Sequence, residues 1–359
     1  MKAVRVIEYV LLGLMLIICF MTLYFIASSS GKMKDFKNDG IIISESINEK
    51  RIIKINDAFN GLYIRGKNLN NPIILFVSSG PGSSDLFLTE KYKDMNLEEY
   101  FTVAYWDYRG MCSVYDREID PEAITTDVLM KDVEDISNYL ISRFNKEKIY
   151  IMGFSGGTHI ALQAASRFPE KYYGYFAMAQ AVCSNSDNDT EMYNFMKKVF
   201  TDRKNSASVK KLESLVNHID DNKVECKDWP AFVYLLHQAG GGTIKDKSEL
   251  TGISIPIFLS HCYNLKEKIS YIPSIKMYRK TTFASENKKH DYRKDITELK
   301  IPVYFISGEY DFNCPWTLVK EYYETISAPE KDFILVPDAA HSPLWENPQP
   351  VVDFMKSKK

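Results

Sequence analysis

Three residues have the types and settings that acyl-transfer chemistry requires, and they occur in the order Ser155, Asp311, His341. The run Gly153-Phe154-Ser155-Gly156-Gly157 fits the pattern G-x-S-x-G. A serine in that pattern sits on a sharp strand-to-helix turn, so its Oγ projects above a sheet. Side chains two positions before and after it would collide, which accounts for glycine at 153 and 157. The N–H of Gly156, at the start of the next helix, can stabilise an oxyanion. The bland alternative is an idle serine in a glycine-rich turn. Context argues against it: the apolar run KIYIM precedes the motif, and a helical stretch with Ile160, Ala161, Ala164 and Ala165 follows.

With such an elbow the partners follow in the order acid, then histidine. Two later apolar runs each end in a suitable group. IPVYFI leads into Ser307-Gly308-Glu309-Tyr310-Asp311, and KDFILV leads into Pro337-Asp338-Ala339-Ala340-His341. His341 would take the proton of Ser155 and return it to the leaving group, while Asp311 would orient the imidazole. Glu309 and Asp338 are rival acids, ranked below Asp311. His159 is expected to pack locally on the helix after the elbow. His218, His237, His261 and His290 are expected to be solvated or satisfied, unless one lines a pocket.

These groups need a frame. Strands are expected at 41–44, 62–65, 72–77, 101–106, 148–152, 175–180, 301–306 and 331–336, and helices at 125–144, after the elbow to 167, and at 315–327. Their alternation predicts a mostly parallel eight-stranded sheet flanked by helices. Residues 185–295 change character, becoming charged, aromatic and mostly helical. They are read as a cap over the strands' carboxyl ends, where open sheets of this kind bind ligands. The core would then be split into 31–184 and 296–359.

Composition supports a globular enzyme. The 359 residues carry 45 Lys+Arg against 47 Asp+Glu, with 45% hydrophobic and 26% charged residues. That balance excludes disorder and a strongly basic nucleic-acid binder. A mean hydropathy of −0.25 excludes a polytopic membrane protein. Six cysteines with no Cys-x-x-Cys pair leave a zinc site or a fully paired disulfide framework unsupported. The average hides residues 1–30, where YVLLGLMLIICFMTLYFIA runs uncharged from Tyr9 to Ala27. Its length suits a single-span anchor best. A secretory signal cut near Ala27-Ser28-Ser29 is the alternative. Lysines flank both ends, so charge does not fix the orientation. A short amino-terminal tail retained inside would place the catalytic part outside the cytoplasmic membrane.

The motifs NPIILFVSSGPG, VAYWDYRG, KIYIMGFSGG, ISGEYDFNCP and SAPEKDFILVPDAAHSPLWENP occur in this order between Gly61 and Met355. In them the chain resembles the α/β-hydrolase superfamily, and more narrowly its prolyl iminopeptidase-like branch of capped serine aminopeptidases. The resemblance implies a Ser155–Asp311–His341 triad and an oxyanion hole of backbone N–H groups from Gly156 and the Ser79-Gly80 loop. It implies no metal or organic cofactor, and a small-molecule or short-peptide substrate. Ser155 argues against the fold's epoxide hydrolases and haloalkane dehalogenases, whose nucleophile is an aspartate. Two departures stand beside the site. Ser78-Ser79 replaces the branch's His-Gly, and Met111-Cys112-Ser113 replaces a glycine-and-serine turn after Asp107-Tyr108-Arg109-Gly110. Asp107 and Arg109 are expected to form an ion pair.

An aminopeptidase also needs a carboxylate for the substrate ammonium. Glu191 is the leading candidate, with Asp187, Asp189 and Glu213 as alternatives. Trp229, Phe232, Tyr234 and Tyr263 would line an apolar pocket or form the cap's own core. A carboxylesterase or lipase-like hydrolase, and a weakly active binding protein on the same fold, remain the competing readings.

Overall fold

The computed structural model describes residues 2–80, 84–92 and 95–359. Pro81 and Gly82 of the expected oxyanion motif lie outside the described residues.

Eight strands form the central sheet: β1 Ile47–Ile55, β2 Ala58–Gly66, β3 Ile73–Val77, β4 Thr102–Asp107, β5 Ile149–Phe154, β6 Tyr172–Met178, β7 Val303–Gly308 and β8 Lys331–Val336. Their spatial order is β8-β7-β6-β5-β3-β4-β2-β1. β1 with β2 and β2 with β4 are antiparallel, and all other pairs are parallel. The central strands read as continuous apolar runs because both faces are covered. In β3, Leu75 and Val77 pack on one face with Trp106 and Ile151, while Ile74 and Phe76 pack on the other with Tyr105 and Met152.

The helices that matter for the site are α1 Lys2–Ala27, α2 Thr126–Arg143, α3 Thr158–Arg167, α4 Ser186–Asp202, α5 Trp229–Ala239, α6 Leu265–Tyr278, α7 Trp316–Thr325 and α8 Pro348–Lys356. Thr125 caps α2 by accepting the Val128 N–H at 3.2 Å, and Leu129, Val133, Ile136 and Leu140 turn inward at helical spacing. α4 to α6 belong to the segment between β6 and β7. α4 and α5 enclose a core of their own around Met192, Met196, Phe200, Phe232 and Leu236.

Two expectations need correction. Ile41–Ile42 pairs only with Lys37–Asn38, outside the main sheet, and the first strand is Ile47–Ile55. It joins β2 through Asn56 and Asp57, both at positive φ (48° and 63°), the backbone of a two-residue hairpin. The 185–295 segment also contains a short hairpin, Val216–His218 with Val224–Cys226, among its helices. Among the described residues all six cysteines are free.

From Arg5 to Ala27, α1 has a mean hydropathy of 2.7 and none of its apolar window is buried. It is long and apolar enough to cross a membrane. A signal sequence meets the same criteria.

Candidate active site

β5 ends at Phe154, Ser155 turns at φ +51°, and α3 begins at Thr158. Positive φ is uncommon outside glycine and is held here by the packing around it. A Cβ on Gly153 would lie 2.7 Å from Thr158 Cα, and one on Gly157 would lie 2.5 Å from Ser78 O. The turn is therefore closed to any other residue at both positions.

Ser155 Oγ lies 2.7 Å from His341 Nε2. His341 Nδ1 lies 3.0 and 3.1 Å from the two carboxylate oxygens of Asp311. Asp311 is fully buried in the loop after β7 and accepts the N–H groups of Asn313 and Cys314 at 3.1 and 2.9 Å. The three expected residues thus come together as one hydrogen-bonded chain. The rival acids point elsewhere: Glu309 accepts the Asp338 N–H, and exposed Asp338 pairs with Lys245.

Glu346, which sequence reasoning missed, fixes the histidine loop. Its Oε1 accepts the N–H groups of Ala340 (3.1 Å) and Ser342 (2.9 Å), on either side of His341, and its Oε2 accepts that of Lys245 (2.6 Å). It is one of 47 acidic residues, and its only sequence signal is an acid five residues after the histidine. Burial raises its carboxyl pKa, against three amide bonds that lower it. An amide in its place offers one acceptor oxygen instead of two. Glu346→Gln is expected to lower kcat about tenfold, the loss of about one charge-assisted hydrogen bond, with KM nearly unchanged. Steady-state kinetics on the two proteins checks this.

The oxyanion side departs from expectation. The Ser79 N–H donates to Asp85 Oδ2 at 2.6 Å, and the Ser79 hydroxyl donates to Oδ1 at 2.7 Å. The amide expected to hold an oxyanion is therefore engaged by a buried carboxylate. Gly156 and Gly80 (φ +60°) keep N–H groups without an acceptor among the described residues. Burial pushes the Asp85 carboxyl up to about 7, opposed by its bonds from Ser79. The native state then binds this proton more tightly than the unfolded chain, whose carboxyl titrates near 4. Stability contributed by the neutral form is complete below about pH 4 and is lost as pH rises toward about 7. Asp85→Asn is expected to flatten that part of the slope in melting temperatures followed from pH 4 to 8.

Asp107 and Arg109 do not pair. Arg109 binds Asp132 of α2 through Nε–Oδ2 and Nη2–Oδ1 contacts of 2.5 and 2.6 Å. Among the described residues, buried Asp107 has no salt bridge, and burial pushes its carboxyl up to about 6.

Glu191 stands half-buried on α4 and accepts the Thr317 hydroxyl at 2.7 Å, six residues past Asp311. Beside it, Phe195 of α4 stacks on Phe312 with ring centroids 4.1 Å apart. Its alternatives are tied into the cap: Asp187 to Arg293 and Lys223, Asp189 to the Cys226 N–H, and Glu213 to Tyr193 and Lys197. Phe232 and Tyr263 are buried, whereas Trp229 and Tyr234 are exposed. His159, expected to pack locally, instead meets the Tyr292 hydroxyl of the 185–295 segment at 2.9 Å, and burial pulls it down to about 3. His237 touches Gly242, whose carbonyl accepts the His341 N–H at 3.3 Å.

An eight-stranded sheet in this order, with a serine elbow after β5 and a histidine loop after β8, defines a hydrolase of the α/β type. Residues 72–348 match the alpha/beta hydrolase fold family, and the chain belongs to it. It is similar to the probable aminopeptidase YbaC of Bacillus subtilis (strain 168), 26% identical over 311 residues that cover 85% of this chain and 94% of the relative. Among solved structures it resembles the proline iminopeptidase of Mycobacterium smegmatis, with a TM-score of 0.58 and 11% identity over 86% of this chain and 97% of that one. It also resembles a thermophilic esterase from Thermogutta terrifontis, with a TM-score of 0.51 and 16% identity over 86% and 97% of the two chains. The enzyme reading of the sequence therefore stands: the chain is an α/β-fold hydrolase.

Proposed function

We propose that the protein is a membrane-tethered serine hydrolase that transfers an acyl group to water and acts on small peptides or amides with a free amino terminus. The observation that carries the chemistry is the continuous Ser155–His341–Asp311 hydrogen-bonded chain. His341 Nε2 takes the Ser155 proton as Oγ attacks the carbonyl carbon. The Gly156 N–H steadies the oxyanion, and the imidazolium returns the proton to the leaving amine. Water activated by the same nitrogen then releases the acyl group. A second oxyanion donor would come from the Ser79-Gly80 loop once the Ser79 amide leaves Asp85, or from Gly80 as it stands.

The aminopeptidase preference rests on the curated relative and on Glu191, which could exchange its bond from Thr317 for a substrate ammonium. α1 supplies the tether, with the catalytic part on the outer side of the cytoplasmic membrane. The test is a panel of aminoacyl arylamides, their N-acetyl forms and small esters on the full-length protein. Arylamide turnover that vanishes on acetylation is the expected result. Ester turnover without amide turnover would replace the aminopeptidase reading with an esterase.

A further inference from the structure

The root of α1 is stitched to the body of the protein without a linker. Ser28, directly after the helix, accepts a hydrogen bond on Oγ from Lys268 Nζ at 3.0 Å. The same Nζ donates to Phe258 O at 2.7 Å and lies 5.1 Å from the Phe25 ring centroid. Phe25 also meets Phe258, with ring centroids 5.9 Å apart. The Ser30 hydroxyl and the Lys32 N–H both donate to His261 O, at 3.0 and 2.9 Å, and the Tyr63 hydroxyl donates to Gly31 O at 3.0 Å. The segment 258–268 is therefore fixed beside the end of α1.

Around this junction the usual sidedness is inverted. Among the described residues outside α1, six of the fifteen exposed large apolar side chains fall between 250 and 272: Leu250, Ile255, Leu259, Leu265, Ile269 and Ile272. On α6, Leu265, Ile269 and Ile272 recur at helical spacing on the outward face, with Ile269 60% exposed, while Glu267, Lys268 and Tyr271 turn inward. An outward apolar stripe on a helix calls for a covering partner. Lys266 and Lys276 flank it and are also exposed, the arrangement of a helix lying in a lipid interface.

We infer that the face made by 250–259 and the outer side of α6 rests on the bilayer that α1 crosses, so that the catalytic body is held on the lipid surface in one pose. This rests on the anchor reading of α1. A spanning helix that ends at Ala27 puts Ser28 at the membrane boundary, and the bonds to His261 and Lys268 put 258–268 at the same depth. Leu259, Leu265, Ile269 and Ile272 lie next to those residues in the chain or one helical turn away, so the bilayer is the surface that reaches them. Leu250 also lines a cavity of about 550 Å³ with Tyr234 and His237, which sets the rim of the cap at the lipid surface.

The test uses the full chain in phosphatidylcholine–phosphatidylglycerol vesicles, with the photo-reactive residue p-benzoylphenylalanine placed at position 269, 272 or 206. Position 206 is an exposed control at the start of a separate helix in the cap, outside the 250–272 stretch. Irradiation is expected to give phospholipid adducts at 269 and 272, severalfold above 206. Adducts at 269 no more abundant than at 206, or adducts to a second copy of the chain in place of lipid, would overturn the inference. Alkaline carbonate extraction is run in parallel. A chain that stays with the vesicles without lipid adducts refutes the docked face and keeps the anchor. A chain that washes off refutes the anchor and the docked face together.

Discussion

Ser155→Ala is expected to lower hydrolysis by about 10⁴- to 10⁶-fold and to abolish labelling by a fluorophosphonate probe. The magnitude follows from the geometry. Ser155 Oγ is the group placed 2.7 Å from His341 Nε2, and the methyl that replaces it can neither attack a carbonyl nor give up a proton. The fold should survive, because alanine keeps the Cβ that the turn already accommodates at φ +51°. A companion variant separates chemistry from architecture. Ser155→Gly is equally inactive but removes the cost of a Cβ in the left-handed region, about 1–2 kcal/mol, so it should melt above Ser155→Ala. Equal labelling of Ser155→Ala and wild type would place the reactive group elsewhere and end the reading of Ser155 as the nucleophile.

The elbow, the order of the three groups and most of the sheet were legible because each has a local signature. GFSGG needs glycine where a Cβ meets backbone, and Asp311 and His341 follow apolar runs that could only be strands. The features that escaped depend on contacts between distant segments. Asp107 and Arg109 are two residues apart and opposite in charge, yet Asp107 closes β4 in the core while Arg109 reaches α2 and Asp132. Asp85 and Glu346 act on backbone N–H groups, which no side-chain pattern records. β1 escaped because an edge strand carries Lys50, Arg51 and Lys54 in place of a clean apolar alternation, as edges that avoid further pairing do. Its Asn56-Asp57 turn was the available signal. The cap hairpin has strands of three residues, too short to show a period of two.

Asp311→Asn is expected to lower kcat about 10⁴-fold while leaving KM and the melting temperature close to wild type. The hydrogen bonds of the loop decide how the asparagine sits. Oδ1 of Asp311 already accepts two N–H groups, from Asn313 and Cys314, so the amide oxygen must take that position. The NH₂ then falls where Oδ2 was, 3.1 Å from His341 Nδ1, and competes for that nitrogen with the amide oxygen at the Oδ1 position, 3.0 Å away. It presents a donor to a nitrogen that must itself donate. Wherever the imidazole accepts from that NH₂, it carries its proton on Nε2, the nitrogen that faces Ser155 Oγ and has to accept a proton there. Geometry is kept and the base is disabled, so activity should recover partly at high pH, where hydroxide can replace it. Asp338→Asn serves as the contrast. That carboxylate is exposed and held by Lys245, and its loss should change kcat less than twofold, within the range of exposed ion pairs. If Asp311→Asn loses less than tenfold while Glu309→Gln or Asp338→Asn loses more, the acid of this site is one of those two and the chain through Asp311 serves only to fold the loop.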